Sequence, residues 1–94
     1  MTTLATRITV PEGVLFRDLD GEAVLLELGS GRYYGLNGMG TRMWNLLLEH
    51  GQLEPAFRDL RDEFEVAETE LEEELLGFVD SLAAHRLLSL HDDG

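Results

Sequence analysis

Apolar residues recur along this chain with two different spacings, and the change falls near residue 37. Before it, they crowd into short runs. Val14 to Leu19 is the first run, and it ends at Asp20-Gly21. Glu22 to Leu28 is the second, with Val24, Leu26 and Leu28 alternating onto one face, and it ends at Gly29-Ser30-Gly31. Arg32 to Leu36 is the third. Short apolar runs between turn residues predict strands. Asp-Gly is a strong hairpin signal, because glycine accepts positive φ without steric cost. Three such runs joined by tight turns predict an antiparallel meander.

After Leu36 the spacing becomes helical. Asn37 is suited to cap a helix, since its side-chain oxygen can accept the unpaired N–H groups of the first turn. The pattern predicts a helix from Gly38 to His50, stopped at Gly51. Its two early glycines weaken it by about 1 kcal/mol each relative to alanine, and close packing against the sheet would explain them. A second helix is expected near Pro55, a residue suited to a first turn. Its stripe is Leu53, Phe57, Leu60 and Phe64, at i, i+4, i+7 and i+11. A third is expected near Thr69, where Thr69 and Glu72 have capping-box spacing. Its stripe is Leu71, Leu75, Phe78, Val79 and Leu82. Leu87-Leu88-Ser89-Leu90 reads as an apolar tail covering one end of the core.

The order β-β-β-α-α-α predicts an α+β domain whose helices cover one face of the sheet. Residues 1–13 are expected to be a flexible N-terminal arm, 14–90 the domain, and 91–94 a tail. The chain has 94 residues, enough for one small core that buries roughly 60–65% of the unfolded surface. Its 19 acidic residues outnumber 7 basic ones, all arginine, for a net charge of −12. Such a surface repels phosphate backbones and anionic membranes, which argues against nucleic-acid and membrane partners, and it attracts basic ones. There is no cysteine, hence no disulfide framework, thiol nucleophile or zinc–thiolate site. No apolar run is long enough for a signal peptide or a membrane span, and the expected location is cytoplasmic.

Motifs for chemistry are sparse. His50, His85 and His91 lack the spacing that places two imidazoles on one helix face. The first two read as cations placed near helix C-termini. The acidic run Glu68 to Glu74 reads as a solvated helix face, since calcium loops need glycine and alternating oxygens; a basic partner is the other reading. Asp80-Ser81-Leu82 matches the tripeptide of acyl carrier proteins, but Ser81 falls inside a helical pattern rather than opening one. No nucleophile–base constellation is present, so neither catalysis nor a cofactor or metal is expected. Tyr33, Tyr34, Leu36 and Trp44 either fill the core or mark a contact surface. Alternation sends Tyr33 to the face opposite Tyr34, which makes Tyr33 the candidate for an outside contact.

The run LLELGSGRYYGLNGMGTRMWNLL, then FxxLxxEFEV, then ELLGFVDSLAAHRLL resembles the PqqD-like family, over about Val14 to Leu90. These domains are recognition elements for the leader segments of ribosomally made, post-translationally modified peptides. Gly38-Met39-Gly40 departs from the family's single glycine there. The resemblance implies a winged-helix-like domain, three antiparallel strands followed by three helices, with no catalysis of its own. It implies that a precursor's leader peptide adds as a strand beside the third strand, in a groove against the third helix, by β-augmentation. Arg32, Tyr33, Tyr34, Gly35 and Leu36 would then be the docking edge. Leu71, Glu74, Leu75 and Phe78 would be the opposite wall. Free-standing members serve lasso peptide clusters, delivering the precursor to a leader peptidase and then a cyclase; others serve radical enzymes. Two alternatives remain open: a non-catalytic structural subunit of an enzyme complex, and a winged-helix DNA-binding regulator. The second conflicts with the charge, since Arg58 and Arg61 of the second helix are offset by Asp59, Asp62 and Glu63.

Overall fold

The computed structural model describes residues 2–91. In chain order the elements are β1 (Arg7–Thr9), β2 (Val14–Leu19), β3 (Glu22–Glu27), β4 (Arg32–Gly35), α1 (Gly38–His50), α2 (Leu53–Glu63), α3 (Glu68–Ala84) and β5 (Ser89–His91). Strands β2, β3 and β4 form an antiparallel sheet in that order. The architecture is the expected α+β one, a three-stranded meander followed by three helices in a winged-helix-like arrangement.

The N-terminal segment differs from a flexible arm. Arg7, Ile8 and Thr9 pair antiparallel with His91, Leu90 and Ser89, and Ile8 is buried. Ile8 N–H donates to the Gly51 carbonyl at 2.9 Å, and Leu53 N–H donates to the Thr6 carbonyl at 3.2 Å. The segment therefore locks the α1–α2 junction and ties the two ends of the chain together. A three-residue strand carries too little alternation to be read alone, and its partner lies at the far end of the sequence. His91 belongs to β5 rather than to a tail; residues 92–94 and Met1 lie outside the described residues.

Local chemistry sets most of the other boundaries. Asp20 (φ 56°) and Gly21 (φ 83°) both take positive φ, as a type I′ hairpin turn requires. The Asn37 side chain accepts Gly40 N–H at 2.8 Å, and Gly51 (φ 70°) closes α1 in the left-handed region. Gly40 permits a close approach: a Cβ there would lie 3.3 Å from the Phe78 ring. The packing partner is thus α3 rather than the sheet. Around Gly38 the space is open. Helix α2 starts two residues before Pro55, which sits in the first turn, where its missing N–H forfeits no bond. Helix α3 starts at Glu68 with Ala67 as its cap residue, so Thr69 is already inside the first turn and no capping box forms.

The core lies between the sheet and the helices. Ala23 and Leu25 of β3 point into it, so Val24 and Leu26 belong to the outer face. Trp44 is fully buried, with the Phe16 ring edge-on at 5.4 Å. Thr41 links the layers: its hydroxyl accepts Ala23 N–H at 2.7 Å and lies 3.4 Å from the Leu36 carbonyl. Thr41→Val keeps the shape and strands a buried N–H, which is expected to cost about 1–3 kcal/mol. Urea denaturation reads this directly, and an unchanged midpoint would show that the bond carries no stability.

Ion pairs decorate the helices. Arg42 meets Glu63 at 2.9 Å, Arg58 meets Glu54 at 2.7 Å, and Arg61 meets Glu68 at 3.3 Å. All are exposed and contribute about 0–1 kcal/mol each. Their larger consequence is that the cations of α1 and α2 are already engaged.

Candidate functional site

Strand β4 is an edge strand, with β3 on one side and no strand on the other among the described residues. Its register pairs Arg32 with Glu27, Tyr33 with Leu26, Tyr34 with Leu25, and Gly35 with Val24. Leu36 N–H donates to the Ala23 carbonyl at 2.8 Å. Hydrogen-bonded pairs alternate along an antiparallel ladder. Residues 36, 34 and 32 therefore bond inward to β3. Tyr33 and Gly35 aim their N–H and C=O groups outward, where an added strand would meet them.

The side chains alternate as well. Arg32, Tyr34 and Leu36 face the helices, while Tyr33 faces away and is 72% exposed. Across from the helix-facing set runs one face of α3, carrying Glu74 and Phe78 and continued by His85, which caps its C-terminus. The Tyr34 and His85 rings sit 5.0 Å apart between centroids. Two hollows follow one another along this groove. The first, about 330 Å³, is lined by Gly35, Leu36, Met39, Met43, Glu74 and Phe78, with Asn37 and Gly40. The second, about 300 Å³, is lined by Arg32, Tyr34, His85 and Arg86, with Glu27 and the turn after it. Of the acidic run that opens α3, only Glu74 lines these hollows.

Six of the residues expected at the site are thus gathered: Arg32, Tyr34, Gly35, Leu36, Glu74 and Phe78. Tyr33 contributes backbone to the edge, but its ring lies on the outer sheet face beside Leu15, Leu19, Val24 and Leu26. Leu71 and Leu75 are not groove walls. Both are 0% exposed, because with Val79 and Leu82 they form the core stripe of α3. The groove stripe is displaced by one position: Glu74, Phe78, Ser81 and His85 recur at i, i+4, i+7 and i+11. That spacing could have revealed His85. Met39 and Met43, four apart on α1, could have been found the same way. Arg86 carries no periodic signal, since it lies just past the helix.

The turn below the second hollow is held by one carboxylate. Glu27 accepts the Ser30 N–H at 2.7 Å, the Ser30 hydroxyl at 2.5 Å and the Gly29 N–H at 3.1 Å. The Ser30 hydroxyl, then the Ser30 backbone, hold its carboxyl below the usual range. A depressed carboxyl favours the fold above its unfolded-state pKa, and that contribution fades as pH falls through the folded value. Ser30→Ala should move the Glu27 titration upward in NMR; an unmoved titration would rule out the hydroxyl as the cause.

An open strand edge thus runs beside a helix-walled groove on a winged-helix-like frame. The sequence profile of the family described as Coenzyme PQQ synthesis protein D (PqqD) matches residues 22–88, and the chain belongs to that family. Among solved structures it is similar to TbiB1 in complex with the TbiA(beta) leader peptide. That likeness has 33% identity and a TM-score of 0.83, over 89% of this chain and 98% of that one. A lasso peptide synthetase B1 complexed with the leader peptide is 24% identical, with a TM-score of 0.81 over 88% of this chain and 98% of that one; it shares the fold. No curated protein matches this chain significantly. Among the described residues, no helix is long and apolar enough to cross a membrane.

Proposed function

We propose that this protein binds the leader segment of a ribosomally made precursor peptide as an added strand on β4. It then presents the precursor to separate modifying enzymes and performs no catalysis itself. The observation that carries the reading is the β4 edge: Tyr33 and Gly35 direct their backbone groups outward beside two side-chain hollows. Backbone bonds supply affinity in such a mode, and the hollows supply selectivity. The likeness to TbiB1, captured with a leader peptide, supports the same reading. Within this reading we place the protein in the lasso peptide setting, in which the receiving enzymes would be a leader peptidase and a cyclase. DNA binding is disfavoured by the engagement of Arg58 and Arg61 with Glu54 and Glu68.

The test is a titration with the leader of a precursor encoded beside this gene, followed by fluorescence anisotropy. Saturable binding at micromolar or tighter, about −8 kcal/mol, is expected, with none for a scrambled leader. Equal binding of leader and scramble would overturn the reading.

A further inference from the structure

The groove is electrically polar along its length, and the polarity is unexpected for so acidic a chain. Net charge is −12, yet Arg32, His85 and Arg86 converge on one hollow. The arginines of α1 and α2 are paired, whereas neither Arg32 nor Arg86 makes an ion pair among the described residues. Glu27 borders the same hollow, stands across the strand pair from Arg32 and attracts Arg86 at a distance. Its oxygens are held by the turn amides and the Ser30 hydroxyl rather than by either guanidinium, so one carboxylate faces two cations and the hollow stays net positive. His85 Nδ1 donates to the Ser81 carbonyl at 2.8 Å, which fixes the ring against Tyr34.

Arg86 adds an independent observation. It has φ 64°, the left-handed conformation in which helices usually end on glycine. A large side chain at that position is uncommon. Here it places a guanidinium at the mouth of the hollow. At the other end of the groove Leu36, Met39, Met43 and Phe78 form an apolar hollow with Glu74 at its rim.

We infer that the Arg32–Arg86 hollow reads a carboxylate: the strand that pairs with β4 carries an Asp or Glu whose side chain enters it. The inference rests on the strand-addition reading above and specifies the sequence recognised. Arg32, Tyr34 and Leu36 face the groove at every second position, and an added strand runs in step with them. The carboxylate therefore lies four residues, the separation of Arg32 from Leu36, from an apolar residue that fills the Met39–Phe78 hollow. Guanidinium groups bind carboxylates through two parallel N–H···O bonds, which gives the contact both strength and geometry. The −12 surface repels acidic peptides elsewhere, so an acidic residue is welcome at this end of the groove alone.

The experiment is selection of random short peptides, displayed on phage, on the wild-type protein and on the Arg32→Gln/Arg86→Gln variant. Both altered side chains are exposed, and a thermal melt checks the fold. Wild type is expected to enrich peptides with an Asp or Glu four residues from an apolar residue, and the variant to enrich only the apolar position. In the best peptide, Glu→Gln should weaken binding to wild type about tenfold and leave binding to the variant unchanged. Enriched peptides without a carboxylate preference, or a Glu→Gln effect equal in both proteins, would overturn the carboxylate subsite and leave strand addition standing. Failure to enrich any peptide, or binding indifferent to Gly35→Pro, would overturn strand addition and the subsite with it.

Discussion

Gly35→Pro is expected to weaken leader binding about 10–100-fold while leaving the domain folded. Gly35 pairs with Val24 at a position without ladder bonds, so its N–H serves only the outer edge. Proline removes that donor and places a ring where the incoming strand must lie. One lost backbone bond accounts for about 1 kcal/mol; displacement of the strand adds the rest. The fold tolerates the change for three reasons. Proline is accepted on edge strands whose N–H points away from the sheet. A Cβ at Gly35 meets nothing within 4 Å. Tyr34, the preceding residue, is already extended in β4, as a following proline prefers. Gly35→Ala keeps the N–H and serves as the control. Calorimetric titration beside a thermal melt separates the two effects. Full affinity in the proline variant would show that peptide does not add at β4.

The same edge shows what the sequence could and could not disclose. The hairpin at Asp20-Gly21 and the ends of α1 at Asn37 and Gly51 were legible, because each depends on a residue whose own chemistry fixes the backbone. The opposite facing of Tyr33 and Tyr34 was legible from alternation alone. The β1–β5 pairing was not, because it is made between segments at opposite ends of the chain, and neither has enough residues to show a period. Which face of β3 is inward was not legible either. Val24, Leu26 and Leu28 are bulkier than Ala23, yet Trp44 and Thr41 fill the space over Ala23 and Leu25, and the larger residues are left outside. The site was half visible for a related reason. Apolar spacing finds the core stripe of α3, whereas the groove wall mixes acid, aromatic and imidazole along the neighbouring stripe. Arg86 reaches the groove through a left-handed turn that its sequence does not advertise.

That displacement of one helical position gives the other large effect. Leu75→Ala and Phe78→Ala, three residues apart on α3, are expected to fail in different assays. Leu75 is fully buried beside Leu71 and Val79. Its truncation should cost about 2–5 kcal/mol, a large share of the roughly 5–15 kcal/mol that holds a domain together. In a chain of this size each kcal/mol lowers Tm by about 4–8 °C, so the variant should melt far earlier and bind leader only through its remaining folded fraction. Phe78 is half-buried; one side of its ring rests over Gly40 and the other lines the apolar hollow. Its truncation removes less buried area, for about 1–2 kcal/mol of stability, but opens the hollow and should weaken leader binding by about tenfold or more. Melting curves and titrations of both variants decide the matter. A Leu75→Ala protein that melts normally yet loses leader would place Leu75 in the groove and Phe78 in the core, the reverse of the facing that their burial implies.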